Sequence, residues 1–296
     1  MKDSVRPSLN PITRNSRYFA GRAIDKFLGL GTFAFNNKSQ IVESRVKNLA
    51  QEERLVVFHT LTEGEICRNV LEVIEEFSKA SWKVCFVSNG KAKVDLLGDN
   101  VDYLIRNNKG FDFGGYRDAL KIYNLGKFQR ILLLNDSMYW YPTRLLDLAS
   151  KEIENLDDSV WALTSSNQVS RHLQSFFYLF SSKNATFLHE LSAVPNYPLK
   201  RMLVSQCEIG ISRRLQRSGV NLHAFFEYED LVRRALDLNH QNRVQDEVLV
   251  RLKKGIVLNP TQHLWELLME LSFPGVKKSL ICKNPARLTR VPNVPS

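Results

Sequence analysis

The tripeptide Asn135-Asp136-Ser137 sets an amide, a carboxylate and a hydroxyl at the end of the apolar run Ile131-Leu132-Leu133-Leu134. Such a set can hold a hard cation or bind sugar hydroxyls. The competing reading is that Asp136 or Ser137 caps the next helix. A second stretch, Asn108 to Leu120 (NKGFDFGGYRDAL), clusters three glycines ahead of a helix that runs to about Tyr123. Glycine lets backbone approach a ligand closely, and a helix N-terminus favours anions. The spacing is neither the GxGxxG dinucleotide signature nor a P-loop, which counts against a Rossmann dehydrogenase and a P-loop ATPase. Asp112 and Arg117 are its notable charges; the alternative is a helix cap and a surface salt bridge. His172 and Gln174 stand two apart at the start of a bulky strand, so they share a face and can touch a substrate. A lone histidine is also commonly structural. Glu208 lies in CEIGISRRLQRSG, a helix-like stretch with Gly219 as its expected stop. The aromatic cluster Met138 to Thr143 is either a sugar-stacking wall or a core edge.

These residues need elements to position them. The run Ile131 to Leu134 has the length and bulk of a central strand covered on both faces. Leu55 to Thr60 is a strand that ends in His59 and Thr60. Glu63 to Ala80 has helical spacing through Ile66, Val70, Val73, Ile74 and Phe77. Trp82 to Val87 is a second strand, closed by Ser88-Asn89-Gly90. Lys91 to Leu97 reads as a short polar helix. Val101 to Ile105 is a third strand, ending at Arg106-Asn107-Asn108. Strand, helix, strand, helix, strand predicts a parallel sheet, in which ligands bind beyond the carboxyl ends of the strands. Further strands are expected at Val160 to Thr164, Phe176 to Phe180, Leu222 to Phe226 and Ile256 to Thr261. Helices are expected at Pro142 to Ala149, Asn184 to Leu191, Lys200 to Ser218, Tyr228 to Asn239, His263 to Leu271 and Val276 to Ile281. Gln241 to Leu252 fits no single pattern.

The domain division expected is a basic, partly helical N-terminal extension over 1–52, one α/β domain over 53–285 and a proline-bearing loose tail over 286–296. Within the extension, Thr13 to Leu28 and Gln40 to Gln51 read as helical. Tyr18 to Phe35 mixes aromatic and aliphatic residues with Arg22 and Lys26. It can lie on an anionic membrane surface or pack along the domain.

The 296 residues carry a formal charge of +10, and 44% of them are hydrophobic, enough for a sizeable core. The sequence pI of about 9.4 suggests an anionic partner: nucleic acid, a membrane surface or a phosphorylated small substrate. No nucleic-acid motif favours DNA or RNA. The four cysteines Cys67, Cys85, Cys207 and Cys282 have no CxxC spacing and read as reduced thiols. No apolar run approaches the ~20 residues of a spanning helix, and the N-terminus lacks a signal-peptide core, so a cytoplasmic location is expected.

Four stretches in order give a resemblance: NKGFDFGGYRDAL, ILLLNDS, WALTSS through HLQSFFYLF, and NPTQHLWELL through FPGVKKSLICKNP. They run from Asn108 to Pro285, and the chain resembles, over roughly residues 54–285, the bacterial rhamnan synthesis F proteins, polysaccharide-assembly glycosyltransferases with a GT-A-type domain. The resemblance implies a GT-A-like, mostly parallel mixed sheet with helices on both faces. It implies a nucleotide-sugar donor (dTDP-, UDP- or GDP-linked), with a deoxysugar such as rhamnose. The implied acceptor is a glycan or lipid-linked glycan of bacterial surface polysaccharide, at the cytoplasmic face of the membrane. Asn135-Asp136-Ser137 stands where GT-A enzymes usually carry an Asp-x-Asp metal motif, but only Asp136 supplies a carboxylate. Mg²⁺ or Mn²⁺ is then held by Asp136 and mainly by the diphosphate, or basic residues neutralise the phosphates without metal.

On that reading, charge building on the leaving phosphate falls to Arg106, Lys109, Arg117 and Asp136. Asp112, Asn135 and Ser137 complete the donor site, and His59 and Asn89 suit the base and ribose. An inverting transfer needs a general base for the acceptor hydroxyl; Glu208 is the first choice and His172 the second. His172 and Gln174 would face the acceptor. The incomplete acidic motif also allows a non-catalytic nucleotide-sugar- or glycan-binding protein on the same scaffold.

Overall fold

The structure is a computed structural model that describes residues 38–47, 52–237 and 244–293. The helix expected at Thr13 to Leu28 and the membrane-facing segment Tyr18 to Phe35 lie outside the described residues. Two compact units divide the chain, Met1–Asn36 and Asn37–Ser296, and all that follows concerns the second.

In chain order the strands and helices are β1 (Ile41–Arg45), β2 (Arg54–Thr60), α1 (Arg68–Lys79), β3 (Lys83–Ser88), β4 (Asp102–Arg106) and α2 (Phe111–Leu120). Next come β5 (Arg130–Asn135), β6 (Met138–Trp140), α3 (Pro142–Ser150), β7 (Ser159–Ser166), β8 (His172–Leu173), β9 (Phe177–Phe180) and α4 (Ala185–Ser192). A helical stretch follows as α5 (Lys200–Leu203), a π-helical segment Val204–Ile209 and α6 (Gly210–Arg217). The chain closes with β10 (Asn221–Phe226), α7 (Tyr228–Leu236), α8 (Asp246–Lys253), α9 (Pro260–His263), α10 (Trp265–Glu270), β11 (Gly275–Lys277) and α11 (Lys278–Lys283).

The main sheet has the order β1-β4-β3-β2-β5-β9-β7-β10, with β8 beside β7. Strands β4, β3, β2 and β5 are mutually parallel, and β10 is parallel to β7. β9 runs antiparallel to both β5 and β7, and β1 antiparallel to β4. The sheet is therefore mixed and mostly parallel, as the motifs imply. β6 and β11 form a separate antiparallel ribbon.

Period-2 alternation along the central strands splits the core between the two faces of the sheet. Val56, Phe58, Leu132 and Leu134 pack on one side with Val70, Val73 and Phe77 of α1. Leu55, Val57, Ile131 and Leu133 pack on the other with Phe113 and Tyr116 of α2. All four residues Ile131 to Leu134 are fully buried. Each such side chain contributes about 1.5–3 kcal/mol by leaving water.

Several expectations are corrected. The described part of the helix expected at Gln40 to Gln51, residues 40–47, is not helical: Ile41–Arg45 is an edge strand registered on Tyr103 to Arg106. Lys91 to Leu97 is not helical either; Ala92 bridges Gly64 instead. Ile256 to Thr261 forms no strand, because Asn259 caps a short helix at Pro260 by accepting from the Thr261 N–H at 3.1 Å. Val276 to Ile281 divides into the end of β11 and the start of α11. Residues 286–293 are not a loose tail: Ala286 and Leu288 are buried, and Arg290 exchanges hydrogen bonds with Gln245.

Candidate functional site

Three pieces of backbone converge at the carboxyl end of β5. The first is the strand tip itself. Asn135 Oδ1 accepts from the Ser137 amide at 3.1 Å and from Ser137 Oγ at 2.6 Å, folding the tip into a tight turn. Asp136 N–H donates to the His59 carbonyl at 3.0 Å, and Asp136 Oδ2 accepts from Thr60 Oγ1 at 2.7 Å. The tips of β2 and β5 are thus tied together.

The second piece is the glycine-rich turn. Asn135 Nδ2 donates to Asp112 Oδ2 at 2.9 Å, while Asp112 Oδ1 accepts from the Phe113 amide at 3.1 Å. Burial raises the Asp112 carboxyl to about 6, the negative charge of Glu208 adds to the rise, and the Phe113 N–H opposes it.

The third piece follows from the reversal of β9. Running against β5, it brings its own beginning to the β5 tip, where Asn135 N–H donates to the Phe176 carbonyl at 3.3 Å. Ser175 there donates through both its amide and its hydroxyl to Glu208 Oε1. Glu208 sits in the π-helical segment, and π-turns recur at functional sites. Its Oε2 makes no hydrogen bond among the described residues.

A residue absent from the sequence reading completes the group. The ribbon of β6 and β11 returns Lys277 to within 3.0 Å (Nζ to Ser137 Oγ) across 140 positions of sequence. The Lys277 ammonium also lies 4.9 Å from the centre of the Phe176 ring. Burial lowers its pKa to about 8; Glu208 opposes that shift, Lys200 adds to it, and Asp112 and Asp136 oppose it. Gly275 makes the return feasible, since a Cβ there would meet the Tyr139 carbonyl at 2.7 Å. The only sequence signal for Lys277 is its place inside FPGVKKS, the last of the four matching stretches.

Other expected residues turn inward. Arg106 donates to Asp118 at 3.1 Å, to Asn89 Oδ1 at 2.5 Å and to the Lys109 carbonyl at 3.0 Å. Arg117 donates to Asp118 at 2.9 Å, the Val194 carbonyl at 2.7 Å and Asn196 Oδ1 at 3.0 Å. The side chains of Arg106, Arg117 and Asp118 are wholly buried. Both guanidiniums are consumed, so neither is placed for a ligand phosphate; they brace the glycine-rich turn. Asn89 belongs to the same network, and its Nδ2 donates to the Phe111 carbonyl at 2.9 Å. His59 is buried beneath Gly115, and desolvation lowers its pKa to about 4, so it is neutral at pH 7. His172 Nδ1 bonds the Ser170 carbonyl at 2.8 Å, and Gln174 Oε1 accepts from Thr164 Oγ1 at 2.6 Å. Neither hydrogen bond reaches the Asp112–Glu208 group. Lys109 is exposed on the turn. The aromatic cluster is divided: Trp140 is core, while Tyr139 and Tyr141 are half-buried and meet edge to face at 6.2 Å.

Among the described residues no three His, Cys, Asp or Glu side chains group as metal ligands. The tip itself offers only Asp136, one oxygen of which already accepts from Thr60; both oxygens of neighbouring Asp112 accept from Asn135 and the Phe113 N–H, and the Lys277 ammonium is bonded to Ser137 beside Asp136. That donor set does not fit the carboxylate-rich coordination of Mg²⁺ or Mn²⁺ expected for an Asp-x-Asp motif.

The fold and the site define an α/β protein with a cluster of polar and charged side chains at the carboxyl ends of a mostly parallel sheet. The chain belongs to the family described as Rhamnan synthesis protein F, which it matches over residues 84–257. The match takes in three of the four stretches noted in the sequence; the one containing Lys277 lies beyond it. An uncharacterised protein, y4gN of Sinorhizobium fredii, is 29% identical over 146 residues, 46% of this chain and 38% of that protein. The virulence protein VirA of Vibrio anguillarum is 24% identical over 201 residues, 62% of this chain and 63% of that protein. The chain thus spans less than two thirds of either relative. Among solved structures, a protein described as a nucleotide-diphospho-sugar transferase from Desulfovibrio desulfuricans aligns at a TM-score of 0.37. The two share 10% identity, and the alignment covers 69% of this chain and 96% of that one. The glycosyltransferase GlyE of Streptococcus pneumoniae aligns at a TM-score of 0.32 with 13% identity, over 60% of this chain and 46% of that one.

Proposed function

We propose that this chain is a glycosyltransferase that moves a sugar from a nucleotide-sugar donor to a glycan or lipid-linked glycan in bacterial surface polysaccharide synthesis. The family description supports rhamnose or another deoxysugar as the sugar moved. The observation that carries the reading is the convergence of Asp112, Asp136, Glu208 and Lys277 around the β5 tip, where an open α/β sheet binds ligands.

In this reading the sugar lies over Asn135-Asp136-Ser137, with Asp136 and Asp112 accepting from its hydroxyls. Glu208, oriented by Ser175, takes the proton of the acceptor hydroxyl through its other oxygen. The acceptor oxygen forms a bond to the anomeric carbon as the bond to the phosphate oxygen breaks, and the electron pair leaves with the diphosphate. Exposed Lys109 meets the phosphates from the turn. The acceptor approaches past Ser175, beside Gln174. The site of action is the cytoplasmic face of the membrane, with the basic N-terminal stretch against its anionic surface. No helix among the described residues is long and apolar enough to cross a membrane.

The lone carboxylate at the tip favours one rival, a nucleotide-sugar-binding protein without transfer. A thermal-shift panel of UDP-, GDP- and dTDP-sugars, followed by nucleoside diphosphate release with a glycan acceptor, separates the two. Binding with acceptor-dependent release supports transfer. Binding without release supports the rival, and no binding removes both.

A further inference from the structure

We propose that Lys277 stabilises the departing nucleoside diphosphate, supplying the positive charge that the single-carboxylate tip cannot recruit as a metal; this rests on the glycosyltransferase reading above. Lysines buried for structural reasons normally meet a carboxylate, as Lys83 does at 2.8 Å from Asp102. Lys277 does not. It makes no ion pair among the described residues, and its side-chain hydrogen bond goes to the neutral hydroxyl of Ser137. An ammonium has three donors, so two remain. Lys277 is half-buried, its backbone is held in the β6–β11 ribbon, and its ammonium rests over the Phe176 ring and on Ser137, so the head is preorganised. Charge of this kind, fixed before the reaction, is worth most where negative charge develops.

The position also fits. Lys277 touches the residue next to Asp136, and its ammonium faces the carboxylates of Glu208, Asp112 and Asp136 without pairing with any of them. Lys277 keeps its protons throughout: it hydrogen-bonds the β-phosphate oxygen that receives the electron pair of the breaking bond, and the acceptor proton goes to Glu208. Arg106 and Arg117 cannot substitute, being spent on Asp118. Lys200 is exposed and has no comparable anchor.

The test is calorimetric binding of UDP, GDP and dTDP against UMP, GMP and dTMP by wild type, Lys277→Met, Lys277→Arg and Lys200→Met, with turnover measured on the same proteins. Wild type should prefer a diphosphate. Lys277→Met should lose about ten- to hundredfold in diphosphate affinity and nothing in monophosphate affinity. Its kcat should fall further, by about 10²–10³. Lys277→Arg should recover most of both, and Lys200→Met should behave as wild type. If Lys277→Met does not fold, Lys277→Arg against Lys277→Gln gives the same comparison. Equal diphosphate binding and turnover in wild type and Lys277→Met overturns the inference alone. A wild type that binds no nucleotide of the panel overturns the parent reading and this inference with it.

Discussion

Asp112 and Glu208 come to the same cluster from positions almost a hundred residues apart, and Asp112 is tuned by what surrounds it. Asp112 is raised to about 6 by burial and by Glu208. Its ordinary value is near 3.9, so the folded protein holds the neutral form more readily than the unfolded chain does. Stability from this group is therefore complete below about pH 4 and lost as pH rises through 6. A shift of that size caps the effect at ~3 kcal/mol, and partial exposure lowers it to about 1–2 kcal/mol. Asp112→Asn should accordingly raise the melting temperature at pH 7.5 and change it little at pH 4, as scanning calorimetry can record. Glu208 is expected to act on rate instead. Glu208→Gln should lower kcat by about 10²–10⁴ while nucleotide binding persists. Of these residues, Asp112, Asp136 and Glu208 were legible from their types and places. Lys277 was not, because a lysine in a short amphipathic run looks like any solvated one until the ribbon pairing is known.

At the scale of elements, the glycine-rich turn was legible as an unusual helix beginning, but its reason was not. The glycines make room for protein rather than for a ligand: a Cβ on Gly115 would lie 2.4 Å from His59 Cδ2, and one on Gly114 would lie 2.6 Å from the Lys109 carbonyl. Gly115→Ala should cost about 1–3 kcal/mol in denaturant unfolding. His59→Ala in the same chain should return part of it, a coupling that a double-mutant cycle detects. The same turn rests on Arg106 and Arg117 sharing Asp118. Arg106→Met leaves the buried Asp118 with Arg117 and the Gln40 N–H alone, and should destabilise by about 3–5 kcal/mol. Lys109→Ala on the exposed turn should stay within ~0.5 kcal/mol. Sequence alone shows that Arg106 and Arg117 are charged, and does not show which way they face. Lys200 to Ser218 likewise read as one helix, and the π-helical turn that aims Glu208 leaves no mark on the hydrophobic period.

Across the described molecule, the parallel half of the sheet was legible from Leu55 to Leu134, because buried apolar runs of strand length have few other solutions, even though one of the three crossovers, between β3 and β4, carries no helix. The reversal of β9 was hidden: Phe176 to Phe180 is equally apolar in either direction. Yet that reversal brings Ser175 to Asn135, and the equally hidden β6–β11 ribbon brings Lys277 to Ser137. The cluster at the β5 tip is therefore a product of the topology that the local pattern does not encode. Its central claim is sugar transfer from a nucleotide donor at the β5 tip. The direct measurement is acceptor-dependent release of nucleoside diphosphate from UDP-, GDP- and dTDP-sugars by wild type, Asp136→Ala and Glu208→Gln. The account predicts release from at least one donor by wild type and its collapse in both variants. Release that is unchanged in Asp136→Ala and Glu208→Gln, or absent with every donor in wild type, would contradict it.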